Sequence, residues 1–506
     1  MRLKQLIRGV PIIELEGSLA REVYGITADP RRISRGMLFA SLPTDDATEG
    51  ESINQAISRG ATAVMCERHG LVPSRAAKIK VPDVRAALAM AAAAFYQYPA
   101  RRLRLIGVAG NQARTVAFLL KQFLEGAGCK SGLISSSRHE IGRRRLPAAS
   151  LTEALDVQGL LSMMVEACCE ACVIEITPEL IARKALNQIK FELLLSDSFE
   201  SLTAPGGIFS DTADTARRWL ASKNWETEGK AWRIHPLANE APETVTIELI
   251  CAPTAVSRLQ AVALQTSREG TWARWLIPGQ TFSSHLPFVG RDYLSSTLAA
   301  AGAALALNVS PCRIRTMLPQ LKPAAGQLES VTLGQPFGIF VDGAQTETDL
   351  KNSLETLRTV TPGQLLLVMG SPGGGIPSGR AGLGRIAGGH SDFAIFTSDN
   401  PGWEPPGAAA AQMAFGFRSV RREGSFVQLD RRQAIALAVR LAQPGDTVLI
   451  AGKGWRSFQE AQGTVSPFDD VAIARQAVEA RFVPQTKPAP PRQRVQHALE
   501  ELACQP

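Results

Sequence analysis

This sequence lacks any apolar run of the roughly 18 residues that a membrane-spanning helix requires. The nearest approach is the alanine-rich stretch LSSTLAAAGAALALNV, whose small residues suit close helix packing. The stretch MRLKQLIRGVPIIELEG has no uninterrupted apolar core, because Arg8 and Glu14 break it, so no secretory leader is expected and a cytoplasmic location is. No basic stripe is interleaved with aromatics. The net charge of +8 therefore permits weak contact with acidic partners, and nucleic-acid binding is not expected. Cysteine is sparse at eight residues, three of which, Cys168, Cys169 and Cys172, cluster in MMVEACCEACVIE. That cluster has no second ligand pair at zinc-site spacing and no histidine near it in sequence. It reads as small buried residues at a helix–strand junction, with thiols that stay reduced. No internal repeat of solenoid length occurs.

What is present is an ordinary globular composition, 45% apolar and 20% charged over 506 residues. At roughly 100–200 residues per domain, that length allows about three domains. Residues 1–95 read as a small α/β unit: GITADPRRISRGMLFASLP gives strand, turn, strand, and INQAISRGATAVMCE gives helix, glycine cap, strand. Residues 96–328 alternate apolar strands (LRLIGVAG, SGLISS, ACVIEI, FELLLSD) with helices, as in a doubly wound sheet, before a β-rich section and a helical one. Residues 329–483 form a second alternating unit. Its strands FGIFVDGAQ, QLLLVMGSPGG, FAIFTSDNP and DTVLIAGKG carry Gly, Asp or Asn at their carboxyl ends, where open α/β sheets bind ligands. Residues 484–506 read as a proline-rich linker and a tail helix with Val495, Leu499 and Leu502 on one face.

One segment has the layout of a phosphate-binding loop. IGVAGNQARTVAFLL, residues 106–120, is strand, glycine-containing turn, helix. Its candidate contacts are Gly107, Gly110, Ala113, Arg114 and Thr115. The usual loop ends Gly-Lys-Thr. Here Ala113 adds a Cβ, strained if its φ is positive, and Arg114 replaces a compact ammonium with a planar fork.

The order of these segments resembles the Mur ligase family, nearest to the ligases that add the third peptide residue to a UDP-N-acetylmuramoyl-dipeptide. The resemblance runs over about residues 15–480. It rests on GITADPRRISRGMLFASLP, the loop above, TEALDVQGLL, IEIT, LKPAAGQLESV, VDGAQTETDLKNSLETLR, TSDNPG, DTVLIAGKG and SPFDD. It implies a three-domain α/β architecture: a small N-terminal UDP-binding-like domain, a central doubly wound P-loop-like domain and a C-terminal Rossmann-like domain. It also implies a chemistry. ATP phosphorylates a carboxylate, an amino acid's amine attacks the acyl phosphate, and a lysine and Mg²⁺ neutralise phosphate charge.

The resemblance carries site roles over position by position. Glu175 falls at the family's metal glutamate, Glu179 at its metal histidine, and Arg217 at its carboxylated lysine, with Lys223 the choice if the alignment is off by one turn. The Asp–His pair expected in SFESLTAPGG has no counterpart. Tyr293 falls at the adenine asparagine. Asp342 and Gln345 fall at the Asp and His of an Asp-Tyr-Ala-His segment, and Asp342 reads equally as a strand-end turn residue. In the amino-acid pocket Asp399 and Asn400 remain, Gly402 replaces an arginine, and Arg380 and Lys453 are kept. Gln327 stands for another arginine, and Trp455–Arg456 for His-Glu. Ser41 and Ser150 are what is left of the UDP-sugar contacts.

Scaffold positions thus hold while chemical positions change. The expectation is a catalytically inactive scaffold or regulatory protein, with no cofactor, a protein partner reached in part through the tail helix, and room for homo-oligomerisation. The tail helix packing on its own domain is the open alternative for that segment. Two further readings remain: an ATP- and Mg²⁺-dependent amide ligase with a rebuilt site, and a sensor of a UDP-sugar or nucleotide.

Overall fold

The computed structural model describes residues 1–42, 46–68, 75–110, 112–146, 153–196, 230–236, 243–251 and 255–482. The chain forms two compact units. One holds Met1–Ala261, Trp275–Phe282 and Ser295–Leu318; the other holds Val262–Arg274, Ser283–Leu294 and the chain from Pro319 on. Among the described residues no helix is long and apolar enough to cross a membrane.

The first unit opens with helix α1 (Leu3–Leu6) and strands β1 (Glu14–Glu16), β2 (Gly25–Thr27) and β3 (Met37–Ala40). Helix α2 (Asp46–Ser58), strands β4 (Ala63–Cys66) and β5 (Ala77–Lys80), and helix α3 (Val84–Phe95) follow. The sheet order is β1-β5-β4-β3-β2, parallel except for β1. Asp83 starts α3 by accepting the Ala86 N–H at 2.8 Å. Small side chains let α3 lie close to its neighbours: Ala87, Ala89 and Ala91 through Ala94 are all buried.

The same unit continues with β6 (Arg104–Ala109), α4 (Ala113–Gly126), β7 (Ser131–Ile134), β8 (His139–Ile141) and β9 (Arg144–Leu146). Then come α5 (Ala154–Glu166), β10 (Ala171–Ile176), α6 (Pro178–Ala182), β11 (Leu193–Ser196), β12 (Lys230–Pro236) and β13 (Thr244–Cys251). The strands lie in the order β13-β12-β11-β6-β10-β7-β8-β9, with β11, β6, β10 and β7 mutually parallel. Those central strands are buried on both faces, which explains their unbroken apolar runs. Glu153, at the start of α5, accepts from Arg85 of α3 at 2.9 Å and from Arg183 at 3.2 Å. These bonds tie the five-stranded sheet's last helix to the central sheet.

The chain crosses between the units in β14 (Ala255–Ser267), β15 (Gly270–Ile277), β16 (Gln280–Leu286) and α7 (Arg291–Ala306), and α8 (Pro311–Met317) follows. The second unit is built on β17 (Glu329–Ser330), β18 (Gly338–Val341), α9 (Glu347–Arg358), β19 (Leu365–Ser371), α10 (Pro377–His390), β20 (Phe393–Ser398) and α11 (Pro406–Val420). It closes with β21 (Ser425–Val427), α12 (Arg431–Leu441), β22 (Thr447–Ala451), the hairpin β23 (Phe458–Ala461) and β24 (Thr464–Pro467), and α13 (Asp470–Phe482). Its main sheet runs β17-β18-β22-β19-β20-β21, parallel apart from β17. Separate apolar cores fill its two faces: Leu350, Leu354, Met413 and Phe417 on one, Ile435, Val439, Ile473 and Val478 on the other.

Among the described residues the expected strands and helices are present within a few residues; the helix expected in TARRWLASKNW, residues 215–225, lies outside them. Helix α10 is one of the elements that sequence reasoning missed. Its PSGRAGLGRIAGGH holds five glycines, each costing about 1 kcal/mol of helix propensity. Tertiary packing overrides that cost. A Cβ at Gly384 would sit 1.9 Å from the Met413 carbonyl oxygen, and one at Gly416 of α11 would sit 2.0 Å from the Ala381 carbonyl oxygen. The two helices interlock through these missing side chains. Of the clustered cysteines, Cys169 and Cys172 are buried as read from sequence, and burial pushes the Cys172 thiol well up. Cys168 is exposed, at a positive φ of 56° that turns the chain into β10.

Gly384→Ala and Gly416→Ala should each destabilise the protein by about 1–3 kcal/mol through overpacking. Gly389→Ala, where a Cβ meets nothing within 4 Å, should stabilise it by about 0.5–1 kcal/mol. Urea unfolding followed by far-UV circular dichroism checks both signs.

Candidate functional site

The phosphate-type turn joins β6 to α4. Gly107 lies inside β6, where a Cβ would meet Leu194 at 2.5 Å and Ile176 at 2.7 Å, so this glycine serves strand packing. Gly110 turns the chain at φ 120°. Ala113 is the first residue of α4 and has ordinary helical geometry. The strain weighed for it from sequence is therefore absent; alanine here favours the helix. Arg114 follows in the first turn, and its buried Nε–H finds no acceptor among the described residues. Thr115 is buried, 2% exposed. An unspent guanidinium N–H in the first turn of a helix suits an anion.

Glu175 lies at the carboxyl end of β10, in register with Val108 of β6. It is 9% exposed. Its carboxylate accepts the Ser135 hydroxyl at 2.5 Å, the Ser136 N–H at 2.8 Å and the Ser136 hydroxyl at 2.9 Å. Among the described residues no lysine or arginine pairs with it. Glu179 does not join it: Glu179 is exposed in the first turn of α6, which Thr177 caps by accepting the Leu180 N–H. No cage of three His, Cys, Asp or Glu side chains forms among the described residues. Arg217, Lys223, Ser150 and the SFESLTAPGG segment lie outside the described residues, as does the tail 484–506.

In the second unit the expected pocket residues gather at the carboxyl ends of β19, β20 and β22. Lys453 and Asp399 are both fully buried and form an ion pair at 3.0 Å. Lys453 also donates to the Phe458 carbonyl at 2.8 Å and to Asn400 Oδ1 at 3.2 Å. Burial pushes the Lys453 ammonium below its ordinary value, and Asp399 opposes that shift. Asn400 Oδ1 accepts the Glu460 N–H as well, which ties the loop after β20 to the β23–β24 hairpin. Arg380, only 2% exposed, grips both oxygens of Glu404 at 2.5 and 2.7 Å and donates to the Pro372 carbonyl. Gly402, at φ 59°, would carry a Cβ into open space. Trp403 beside it is 81% exposed and lies against Gly463 of the hairpin.

The remaining positions have structural partners. The Tyr293 hydroxyl donates to the Gln327 carbonyl at 2.7 Å while its ring stacks on Phe288. Asp342 lies just past β18. Its carboxylate accepts the Leu328 N–H, the Ala344 N–H and the Ser353 hydroxyl. Gln345 donates to the Gly452 carbonyl at 2.9 Å, and the Ser41 hydroxyl donates to Glu49 of α2 at 3.2 Å. Sequence reasoning missed Ser135, Ser136 and Glu404. A run of serines at a strand's carboxyl end, SGLISSS, was the signal for the first two.

An N-terminal α/β sheet, a central sheet with a phosphate-type turn and a C-terminal Rossmann-like sheet make up a three-domain ligase architecture. Comparison with known proteins bears on its kind. A family model described as Mur ligase, glutamate ligase domain, matches residues 328–454. The UDP-N-acetylmuramoyl-L-alanyl-D-glutamate–2,6-diaminopimelate ligase of Syntrophomonas wolfei subsp. wolfei is 30% identical over 492 residues, covering 95% of this chain and 100% of its own length. A solved structure of a ligase of the same name aligns with TM-score 0.63 at 22% identity, covering 96% of this chain and 100% of that one. The MurF ligase of Thermotoga maritima, solved in complex with ADP, aligns with TM-score 0.53 at 14% identity, covering 92% and 98%. The chain belongs to the Mur ligase family, a family of ATP-dependent acid–amino acid ligases.

Two expectations are thereby corrected. The inactive scaffold is overturned by end-to-end similarity to proteins named as ligases, which favours the ligase alternative. The absence of cofactors falls with it, since the family's reaction uses ATP and Mg²⁺. Substitution at single contact positions was read as loss, yet the surrounding geometry still offers partners for both. The Arg114 N–H is unspent at the helix N-terminus. Glu175 and its hydroxyl neighbours are hard oxygen donors, and the carboxylate has no cation of its own. Mg²⁺ commonly uses one or two protein carboxylates and takes its other ligands from phosphate and water. The residues present fit Mg·ATP.

Lys453→Met should destabilise the protein by about 3–5 kcal/mol, because it strands the Asp399 charge in the interior. Lys453→Met with Asp399→Leu should recover much of that loss in urea unfolding.

Proposed function

We propose that this chain is an ATP-dependent acid–amino acid ligase of the peptidoglycan-precursor type with a rebuilt phosphate loop and a rebuilt amino-acid pocket. The observation that carries the reading is the pairing of end-to-end similarity to named ligases with an unspent arginine N–H at the phosphate-type turn. In the reaction the γ-phosphoryl group of ATP passes to a substrate carboxylate, giving ADP and an acyl phosphate. The amine of an amino acid then attacks the acyl carbon, the C–O bond to phosphate breaks, and an amide, phosphate and a proton result.

The chain's own residues divide that work. The α4 N-terminus and Arg114 receive the phosphates, with Arg114 in the place of the usual lysine. Glu175 would hold Mg²⁺, which when bound neutralises charge on the phosphates. The Lys453–Asp399 pair and the Arg380–Glu404 grip fix the loops around the amino-acid pocket. The charges of Arg380 and Lys453 are thereby spent within the protein. Gly402 supplies no side chain where the resemblance expects an arginine, which favours an incoming amino acid without a distal carboxylate, in contrast to the diaminopimelate that the relatives' names specify.

Phosphate release measured with Mg·ATP, a UDP-N-acetylmuramoyl-dipeptide and a panel of amino acids tests the reading. Substrate-dependent release is expected, strongest with a monocarboxylic amino acid; no release, with no ATP binding by calorimetry, would refute it. Arg114→Ala should raise the apparent KM for ATP about ten-fold, the loss of about 1.4 kcal/mol of charge-assisted bonding. Gly402→Arg should shift preference toward diaminopimelate in the same assay, at a folding cost of about 1–2 kcal/mol for a side chain at positive φ.

A further inference from the structure

We infer that Ser135 and Ser136 are positioning residues that lock the Glu175 carboxylate so that its Oε1 is the oxygen offered to a divalent cation. This rests on the ligase reading above for the identity of that cation's nucleotide partner.

The two serines arrive beside Glu175 by sheet register. β7 is parallel to β10, with Ile134 opposite Ile174, so the residues just past β7 emerge next to Glu175. The two carboxylate oxygens are treated unequally. Oε2 accepts the Ser135 hydroxyl at 2.5 Å and the Ser136 N–H at 2.8 Å, while the one Ser136 hydroxyl proton is shared between Oε1 at 2.9 Å and Oε2 at 3.0 Å. An ionised carboxylate has about two acceptor directions on each oxygen. Donors crowd Oε2 and leave Oε1 with room for a ligand.

Ser135 is itself oriented. It is 2% exposed, its oxygen accepts the Ser137 N–H at 3.4 Å, and the Ser137 hydroxyl lies 3.3 Å away. With acceptors served by Ser137, the one hydroxyl proton of Ser135 is directed at Glu175. Two serines from one strand end thus fix both the rotation and the tilt of the carboxylate.

A purely structural role leaves one fact unaccounted for. Glu175 is a largely buried charge held by neutral donors, with no lysine or arginine partner among the described residues. Buried charges are ordinarily paired or bound to metals. Its place at the carboxyl end of β10, next to the strand that leads into the phosphate-type turn, is where sheets of this kind bind ligands. Outer-shell partners of this sort set ligand orientation, and losing them costs roughly ten- to hundred-fold in metal affinity.

The test is electron paramagnetic resonance of Mn²⁺ titrated into the full chain with a non-hydrolysable ATP analogue. The proteins are wild type, Ser135→Ala, Ser136→Ala, Ser136→Thr and Glu175→Gln, each checked by thermal melting. Wild type is expected to bind Mn²⁺ in the ternary complex. Ser135→Ala and Ser136→Ala are expected to weaken Mn²⁺ roughly ten- to hundred-fold, with metal-free binding of the analogue unchanged and Ser136→Thr close to wild type. Mn²⁺ affinity equal to wild type in both alanine variants, with binding lost in Glu175→Gln, would overturn the positioning role and leave the ligase reading standing. Wild-type protein that binds neither the analogue nor Mn²⁺ would overturn both.

Discussion

The C-terminal α/β unit depends on a cluster of four buried charges at the carboxyl ends of β20 and β22. Lys453 faces Asp399, and Arg431 faces Asp470 through two hydrogen bonds of 2.8 and 2.7 Å. The pairs are near enough to act on each other: Asp399 helps hold the Arg431 proton against burial, and Arg431 disfavours the Lys453 charge. Taking four ions out of water costs several kcal/mol each, and well-packed apolar residues would often be as stable. What the cluster supplies is placement. Arg431 also binds the last carbonyl of β22, at Ala451, and Lys453 binds Asn400 and the carbonyl of Phe458. One charge-balanced knot therefore fixes three loops and the β23–β24 hairpin.

Close backbone approach is the second constraint, and glycines serve it. Gly384 and Gly416 let α10 and α11 interlock, and a Cβ at Gly373 would lie 2.0 Å from the Pro401 carbonyl oxygen. The loop after β19 is thereby pressed onto the loop after β20. Arg380, rooted in α10, is bonded to Glu404 in the loop after β20. Helix packing and ion pairing thus converge on the same two loops.

The fold was largely legible in the sequence because apolar runs buried on both faces announce parallel strands, and β6, β10, β19 and β22 were read from that signal. Helix α10 was not legible, since its glycines argue against a helix locally and its partner helix is the reason for them. The site was legible in part. Glu175 at the end of β10, and Asp399, Asn400 and Lys453 past the ends of β20 and β22, lie where open α/β sheets place ligand-binding residues, while Glu179 is exposed. Counting replaced side chains suggested an inactive protein. That inference treated each position as independent, and the chain's end-to-end likeness to ligases overturned it.

The sequence by itself determined the order of the α/β segments, the presence of a strand–turn–helix that suits phosphate, and the residues that depart from the usual loop. Periodicity and turn chemistry are local, so they can be read in one dimension. Only the tertiary structure decided that Arg114 keeps an unspent N–H, that Ala113 is unstrained, that two serines hold Glu175, and that Lys453 and Arg380 are consumed by carboxylates far away in the chain. Those are matters of who meets whom across parallel strands, fixed by sheet register and helix packing, and no local spacing records them.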